Sequence, residues 1–94
     1  MNKRQQLYYL LDAFVKKEYS VQSFCDVFEG VFYPDPPRDE LSPRELELFE
    51  ALGVIVTRYT PFPEDLEKYP AVYKNESDVK NAIYTVIDKL TATQ

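Results

Sequence analysis

The sequence predicts an all-α fold: a small antiparallel four-helix bundle with two Pro-rich connecting loops. Four stretches repeat apolar residues at helical spacing, and no stretch of real length alternates apolar with polar residues. Prolines gather in two places, Pro34 to Pro37 and Pro61 to Pro70, where they interrupt the helical pattern. Amphipathic helices with stripes of similar length bury those stripes against one another.

The first helix is expected from about Lys3 to Lys16. Leu7, Leu10, Leu11, Phe14 and Val15 form its stripe, Asn2 stands at the N-cap position, and Lys16 and Lys17 fall in the last turn, where cations complement the helix dipole. Lys17-Glu18-Tyr19 makes a short connection, and Ser20 then caps a second helix over about Val21 to Phe32. Phe24, Phe28, Val31 and Phe32 share one face of it, with Val21 and Val27 beside them. The segment Tyr33-Pro34-Asp35-Pro36-Pro37-Arg38-Asp39-Glu40 cannot continue a helix and reads as a stiff, extended connector. A Pro-rich ligand for an SH3-type domain is the other reading of the same residues.

Ser42-Pro43-Arg44-Glu45 is the clearest helix start in the chain, with Ser at the N-cap, Pro at the first helical position and Glu at the third. The third helix carries Leu46, Phe49, Leu52, Gly53 and Val56 inward, with Leu48 and Ile55 flanking and Glu47 and Glu50 pointing away. A glycine inside a helix costs about 1 kcal/mol against alanine, which predicts close approach of a neighbouring helix at Gly53. Val54-Ile55-Val56 is β-branched, so a strand from Val54 to Tyr59 is the alternative there. Tyr59 to Tyr73 is a second irregular region, in which Pro63 to Glu67 suits one helical turn. Asn75 caps a last helix from about Glu76 to Leu90, striped by Val79, Ala82, Ile83, Val86, Ile87 and Leu90.

The 94 residues, 45% apolar and 29% charged, suit a single globular domain spanning 1–94. No apolar run has the length of a membrane helix. The N-terminal stretch, broken by Gln6 and Asp12, reads as an amphipathic helix rather than a signal peptide. Cys25 is alone, which rules out an internal disulfide and fits a reducing cytoplasm; it is expected on or near the buried face of the second helix.

The chain has no histidine, the commonest general base and metal ligand. Cys25 therefore has no histidine to activate it, and two glycines cannot build a phosphate-binding loop. A carboxylate pair is the remaining catalytic kit, and it needs a deep cleft for which so small a helical domain has little room. No enzymatic activity, cofactor or metal site is expected. A net charge of −5 also argues against direct contact with nucleic acid.

The charge is unevenly spread. From Glu29 to Glu67 ten carboxylates face three arginines, a net −7, while the rest of the chain carries +2. Such a stretch reads either as a solvated surface or as a docking face for a basic partner. Two clusters stand out within it. Glu64, Asp65 and Glu67 lie in the loop after the third helix, among Tyr59, Phe62, Tyr69 and Tyr73, and form the primary candidate contact surface. Asp35, Asp39, Glu40, Glu45 and Glu47, in the connector and the start of the third helix, form a secondary, flanking surface. The alternative is that Tyr59 and Phe62 cap the core and the acids merely solvate it.

Several ordered features resemble one known family. Lys-Lys-Glu-Tyr-Ser (Lys16 to Ser20) leads into an aromatic helix, Leu41-Ser42-Pro43 opens the third helix, and Arg58-Tyr59 precedes a proline and an acidic loop closing on Tyr69. A final helix VKNAIYTVIDKL, Val79 to Leu90, completes the pattern. Together they resemble the colicin D immunity proteins and the related immunity proteins of contact-dependent growth-inhibition systems. The resemblance implies a four-helix bundle without enzymatic activity. It also implies that the chain acts in the cytoplasm as a monomer, in a 1:1 complex with the basic C-terminal nuclease domain of a cognate toxin, of a kind that cleaves tRNA. The family's contact acids end the third helix and follow it. Here Thr57 stands where the family has Glu, and Phe62 follows Pro61, so the contact role carries over to Glu64 and Asp65 in approximate register. A small adaptor or regulatory subunit that binds a basic protein is the alternative, and an enzyme using a carboxylate pair is a further one.

Overall fold

A computed structural model describes residues 2–33 and 35–92. Pro34, the first proline of the expected connector, lies outside the described residues. The described residues form α1 (Lys3–Val15), α2 (Val21–Phe32), α3 (Pro43–Val56), α4 (Pro63–Lys68) and α5 (Glu76–Ala92), so the chain is all-α. Tyr59 and Lys74 form an isolated parallel bridge, and no longer strand occurs among the described residues.

The helix starts follow from local hydrogen bonding. Asn2 Oδ1 accepts from the Gln5 N–H at 2.8 Å, and Gln5 Oε1 accepts from the Asn2 N–H at 3.0 Å. The same reciprocal box opens α3 through Ser42 and Glu45, at 3.1 and 2.9 Å. It opens α5 through Asn75 and Asp78, at 2.8 and 3.1 Å. Ser20 Oγ accepts from the Ser23 N–H at 3.1 Å to start α2. Each box satisfies N–H groups that a helix leaves unpaired, a contribution of about 1 kcal/mol per cap.

α1 stops one residue earlier than its periodicity predicts. Lys16 is its C-cap and Lys17 takes a left-handed φ of 65°, while the Glu18 N–H reaches back to the Ala13 carbonyl at 2.9 Å. This is a Schellman ending with lysine where glycine is usual. Lys16 pairs with Asp12 at 2.9 Å instead of lying within the last turn.

α2 lies among the other long helices: α1 packs on it, and so do α3 and α5, which also pack on each other. Val21, Phe24, Cys25, Phe28 and Phe32 of α2 are buried, and the core is completed by Leu7, Leu10, Leu11 and Phe14 of α1, Phe49, Leu52 and Val56 of α3, and Val79, Ile83, Val86 and Leu90 of α5. Some stripe assignments shift by one position. Val15 is 46% exposed and Ala13 is buried in its place; Val27 is exposed; Leu48 is buried where Leu46 is only partly so. Each exchange follows from which side the neighbouring helix approaches, which one-helix periodicity does not contain. Val54-Ile55-Val56 stays helical because Val56 fills the core, and Thr57 closes the helix on the Gly53 carbonyl at 3.0 Å. The single turn expected at Pro63 to Glu67 is a helix in its own right. It has Pro63 at its first position, Glu64 and Asp65 in its first turn and Lys68 in its last.

The close neighbour of Gly53 is a side chain rather than a helix. A Cβ there would collide with the Tyr33 hydroxyl and lie 3.1 Å from its Cζ, whereas a Cβ at Gly30 meets nothing within 4 Å. Tyr33 follows α2 and sets its ring edge-on to Phe32 at 5.2 Å, which limits how far it can swing away. Gly30→Ala is therefore expected to stabilise the fold by about 0.5–1 kcal/mol through helix propensity. Gly53→Ala is expected to show no such gain, and to recover it in a Tyr33→Ala background. Chemical denaturation of the single and double variants measures that coupling.

Candidate protein-binding surface

The segment between α3 and α5 leaves the core and returns to its starting point. The Thr60 N–H donates to the Lys74 carbonyl at 3.0 Å, and the Lys74 N–H donates to the Arg58 carbonyl at 2.8 Å. Thr60 is the buried polar residue at this base. Its hydroxyl donates to Asp65 Oδ2 at 2.9 Å and accepts from the Phe62 N–H at 3.2 Å, fixing the entry to α4. At the exit, the Tyr69 N–H closes on the Asp65 carbonyl at 2.9 Å, and the Tyr69 carbonyl accepts from Val72 at 3.0 Å and Tyr73 at 3.1 Å.

No residue of α4 is buried. Phe62, Tyr69 and Val72 are 60%, 56% and 49% exposed, and Tyr69 meets Tyr73 edge-on at 6.1 Å. Glu64 and Glu67 are exposed as well. The primary residues predicted from sequence thus divide. Phe62, Tyr69, Glu64 and Glu67 face solvent. Asp65 is half-buried and held by Thr60, and Tyr59 packs against the core, where burial and then the charge of Glu76 push its hydroxyl pKa up. Lys68 on α4 and Lys74 at the base, just outside the linear acidic window, add cations to Arg58 within it.

The secondary residues divide too. Asp35, Asp39, Glu40 and Glu47 are exposed. Glu45, expected among the flanking contacts, is engaged within the molecule instead, its side chain only 12% exposed. The connector folds over the start of α1, with Lys3 Nζ donating to the Asp35 carbonyl at 3.1 Å and the Arg4 N–H donating to Glu40 Oε1 at 3.3 Å. Arg4 then grips Glu45 with two donors, Nε at 3.4 Å and Nη2 at 2.9 Å, while its guanidinium lies 4.9 Å over the Tyr8 ring. The Tyr8 hydroxyl donates a short hydrogen bond to the same carboxylate. Burial raises the Glu45 pKa, but donors from the Ser42 backbone, Tyr8 and Arg4 outweigh it and hold the group at about 2. Burial, then the bond to Glu45, pushes Tyr8 up to about 12, so the phenol remains a donor. The two acidic clusters lie at opposite ends of α3, about 20 Å apart along its axis.

Sequence reasoning missed a third acidic group. Burial raises the pKa of Tyr33, and Glu50 of α3 and Glu29 of α2 raise it further. Asp26 and Glu29 also act on Cys25, whose thiol is pushed up to about 12, chiefly by burial; it is a core residue and not a nucleophile. α2 has no cation, and α3 has Arg44 alone, in its first turn. The cation-free helix was visible in the sequence. That acids of both helices act on Tyr33 depends on which helices touch.

Among the described residues no group of three or more His, Cys, Asp or Glu is arranged to hold a metal ion. No family model, curated protein or solved structure matches this chain.

The Glu45 pKa predicts acid sensitivity. A carboxyl held at about 2 in the fold, against 4.5 ordinarily, stabilises the fold above 4.5, and that contribution is lost as pH falls from 4.5 toward 2. Glu45→Gln should lower stability at pH 7 by about 1–3 kcal/mol and flatten this part of the pH profile. Denaturant melts of both proteins between pH 7 and pH 2.5 check the expectation.

Proposed function

We propose that this chain is an immunity protein, a stoichiometric inhibitor that neutralises the basic nuclease domain of a cognate toxin by covering its active-site groove. α1, α2, α3 and α5 form an antiparallel four-helix bundle, monomeric and cytoplasmic, that carries the acidic surface into a 1:1 complex. The observation that carries this reading is the unbalanced field of α2 and α3. The two helices pack together with five carboxylates against one arginine, and among the described residues only Glu45 of the five forms an ion pair. Asp26, Glu29, Glu47 and Glu50 are left facing solvent, with Glu64 and Glu67 beyond the far end of α3. Opposed fields of this kind speed encounter and fix orientation with a cationic groove that otherwise holds a phosphate backbone. The resemblance of Leu41-Ser42-Pro43, Arg58-Tyr59 and the closing helix to immunity proteins supports the same reading.

The first test is co-expression with the reading frame directly upstream, scored for growth. A lethal upstream C-terminal domain, rescued by this chain, is the expected result; a neighbour that is harmless, or that kills regardless, sinks the reading. In purified form, association should slow about tenfold or more between 50 and 500 mM salt, with dissociation changing far less. The double reversals Glu29→Lys/Glu50→Lys and Glu64→Lys/Glu67→Lys should each slow association, and Asp88→Lys on α5 should not. Asp65 is a poor probe because its reversal would also break the Thr60 contact. Binding indifferent to both double reversals would favour the adaptor reading, for which the apolar groove of ≈ 350 Å³ between α1 and α5, lined by Leu11, Val15, Ile87 and Leu90, is the alternative contact.

A further inference from the structure

The acids of α2 and α3 leave one corner of the molecule to cations. α1 packs on α2, and α5 packs on α2 and α3. α1 and α5 meet through two rings, Phe14 and Tyr84, with centroids 6.0 Å apart. Beside that contact, the end of α1, the start of α2 and the first half of α5 enclose an open cavity of ≈ 400 Å³. Phe14 is a buried core side chain and gives the cavity a fixed apolar wall, to which Tyr19 and Tyr84 add rings that reach solvent. Lys17 and Lys80 line it as well, against one carboxylate, Glu76. No residue of α3 or of the 61–73 excursion takes part. Neither lysine forms an ion pair among the described residues, whereas Lys16, next in sequence to Lys17, is paired with Asp12. The net −5 of the whole chain therefore does not describe this corner, where cations outnumber acids.

Lys17 is held there against its backbone preference. Its φ of 65° lies in the left-handed region, where a Cβ is crowded, and among the described residues no other non-glycine shares it. Glycine makes the same helix ending without that strain. The lysine adds nothing to the turn; what it adds is an ammonium-bearing residue at the cavity wall. Strain of this kind collects where a side chain serves more than the fold.

We propose that this cavity binds a phosphate monoester carried on an aromatic body, with Lys17 and Lys80 holding the phosphate and Phe14, Tyr19 and Tyr84 receiving the ring. Two ammonium groups act as point charges, and a phosphate dianion meets both where a carboxylate offers one charge. The aromatic walls favour a flat apolar body over a bare anion. Glu76 opposes the ligand and limits its affinity. The site is separate from the acidic surface and stands or falls independently of the inhibitor reading.

Phenyl phosphate, inorganic phosphate and phenol are titrated separately into the full chain at fixed ionic strength, while backbone amide shifts are followed by NMR. Phenyl phosphate should shift residues 14–21 and 76–84 and bind about fivefold or more tightly than inorganic phosphate, with phenol weaker still. Lys80→Gln should weaken phenyl phosphate about fivefold, and Glu76→Gln should tighten it. Lys17→Gly separates binding from folding. It should weaken the ligand as Lys80→Gln does, while the melting temperature holds or rises because the strained turn is relieved. Lys89→Gln, on α5 but outside the cavity, should leave binding unchanged. Shifts spread over all the lysines, equal affinity for phenyl phosphate and inorganic phosphate, or a Lys17→Gly variant that binds like the parent protein overturns the proposal. A lower melting temperature for Lys17→Gly counts against it too, since the lysine would then serve the fold.

Discussion

Phe24, Phe28 and Phe32 recur every four residues along α2, and that spacing puts their rings in one column, 5.8 and 5.2 Å between successive centroids. Phe14 of α1 stands edge-on to Phe24 at 5.4 Å, and Phe49 of α3 lies 6.5 and 6.4 Å from Phe28 and Phe32. Val79 and Ile83 of α5 are fully buried in the same core. Beyond the area they bury, such ring pairs contribute about 0.5–1.5 kcal/mol each. The column explains why α2 is the element that the other long helices meet. It also fits the sparing of the 61–73 excursion from core duty: α1, α2, α3 and α5 supply the buried side chains around the rings, and α4 supplies none.

The second constraint is polar, and it takes up part of the acid. α1 and α3 are joined at one end by Tyr8, whose ring touches Phe49 at 6.0 Å and whose hydroxyl reaches Glu45, and by the fork of Arg4 on that carboxylate. One carboxylate thereby caps its own helix, pairs with α1 and fixes the Tyr8 ring. That charge is spent within the fold, and Glu40 is partly engaged too, at the Arg4 N–H. The field left outside is smaller than the linear count and differently placed.

Local chemistry was legible in the sequence, and long-range chemistry was not. Ser20 and the phenylalanine spacing define α2 at Val21–Phe32, and Ser42-Pro43-Arg44-Glu45 marks the start of α3, because caps and stripes are settled within a few residues. The Arg4–Glu45 pair spans 41 positions, and the Tyr33–Gly53 contact spans two helices, so neither leaves a trace in any short window. Gly53 did signal a close approach; only the docked fold shows that the intruder is a tyrosine ring. The candidate surface divides likewise. The exposure of Phe62, Tyr69, Glu64 and Glu67 fits a short, Pro-broken acidic loop in which only Asp65 and Leu66 of α4 are partly covered. The removal of Asp65 by Thr60 depends on a turn that composition does not encode.

The acids around Tyr33 raise a further question of energetics. Glu29 and Glu50 both act on the Tyr33 hydroxyl, and one lysine on α2 would balance that negative charge. Room for one exists, since Gln22, Ser23 and Gly30 are all exposed on α2. The ion pairs among the described residues, Arg4–Glu45 and Lys16–Asp12, involve none of these acids. A chain selected for its own stability alone would soften such a field. One selected to meet a cationic surface gains from leaving it unscreened, because charges without internal partners need no internal bond broken before they bind. The same contrast separates Glu45, tied down and held at about 2, from Glu64 and Glu67, which are exposed on α4. On the proposed reading, the fold assigns its acids to two tasks, a few to hold the helices together and the rest to remain unsatisfied until a partner arrives.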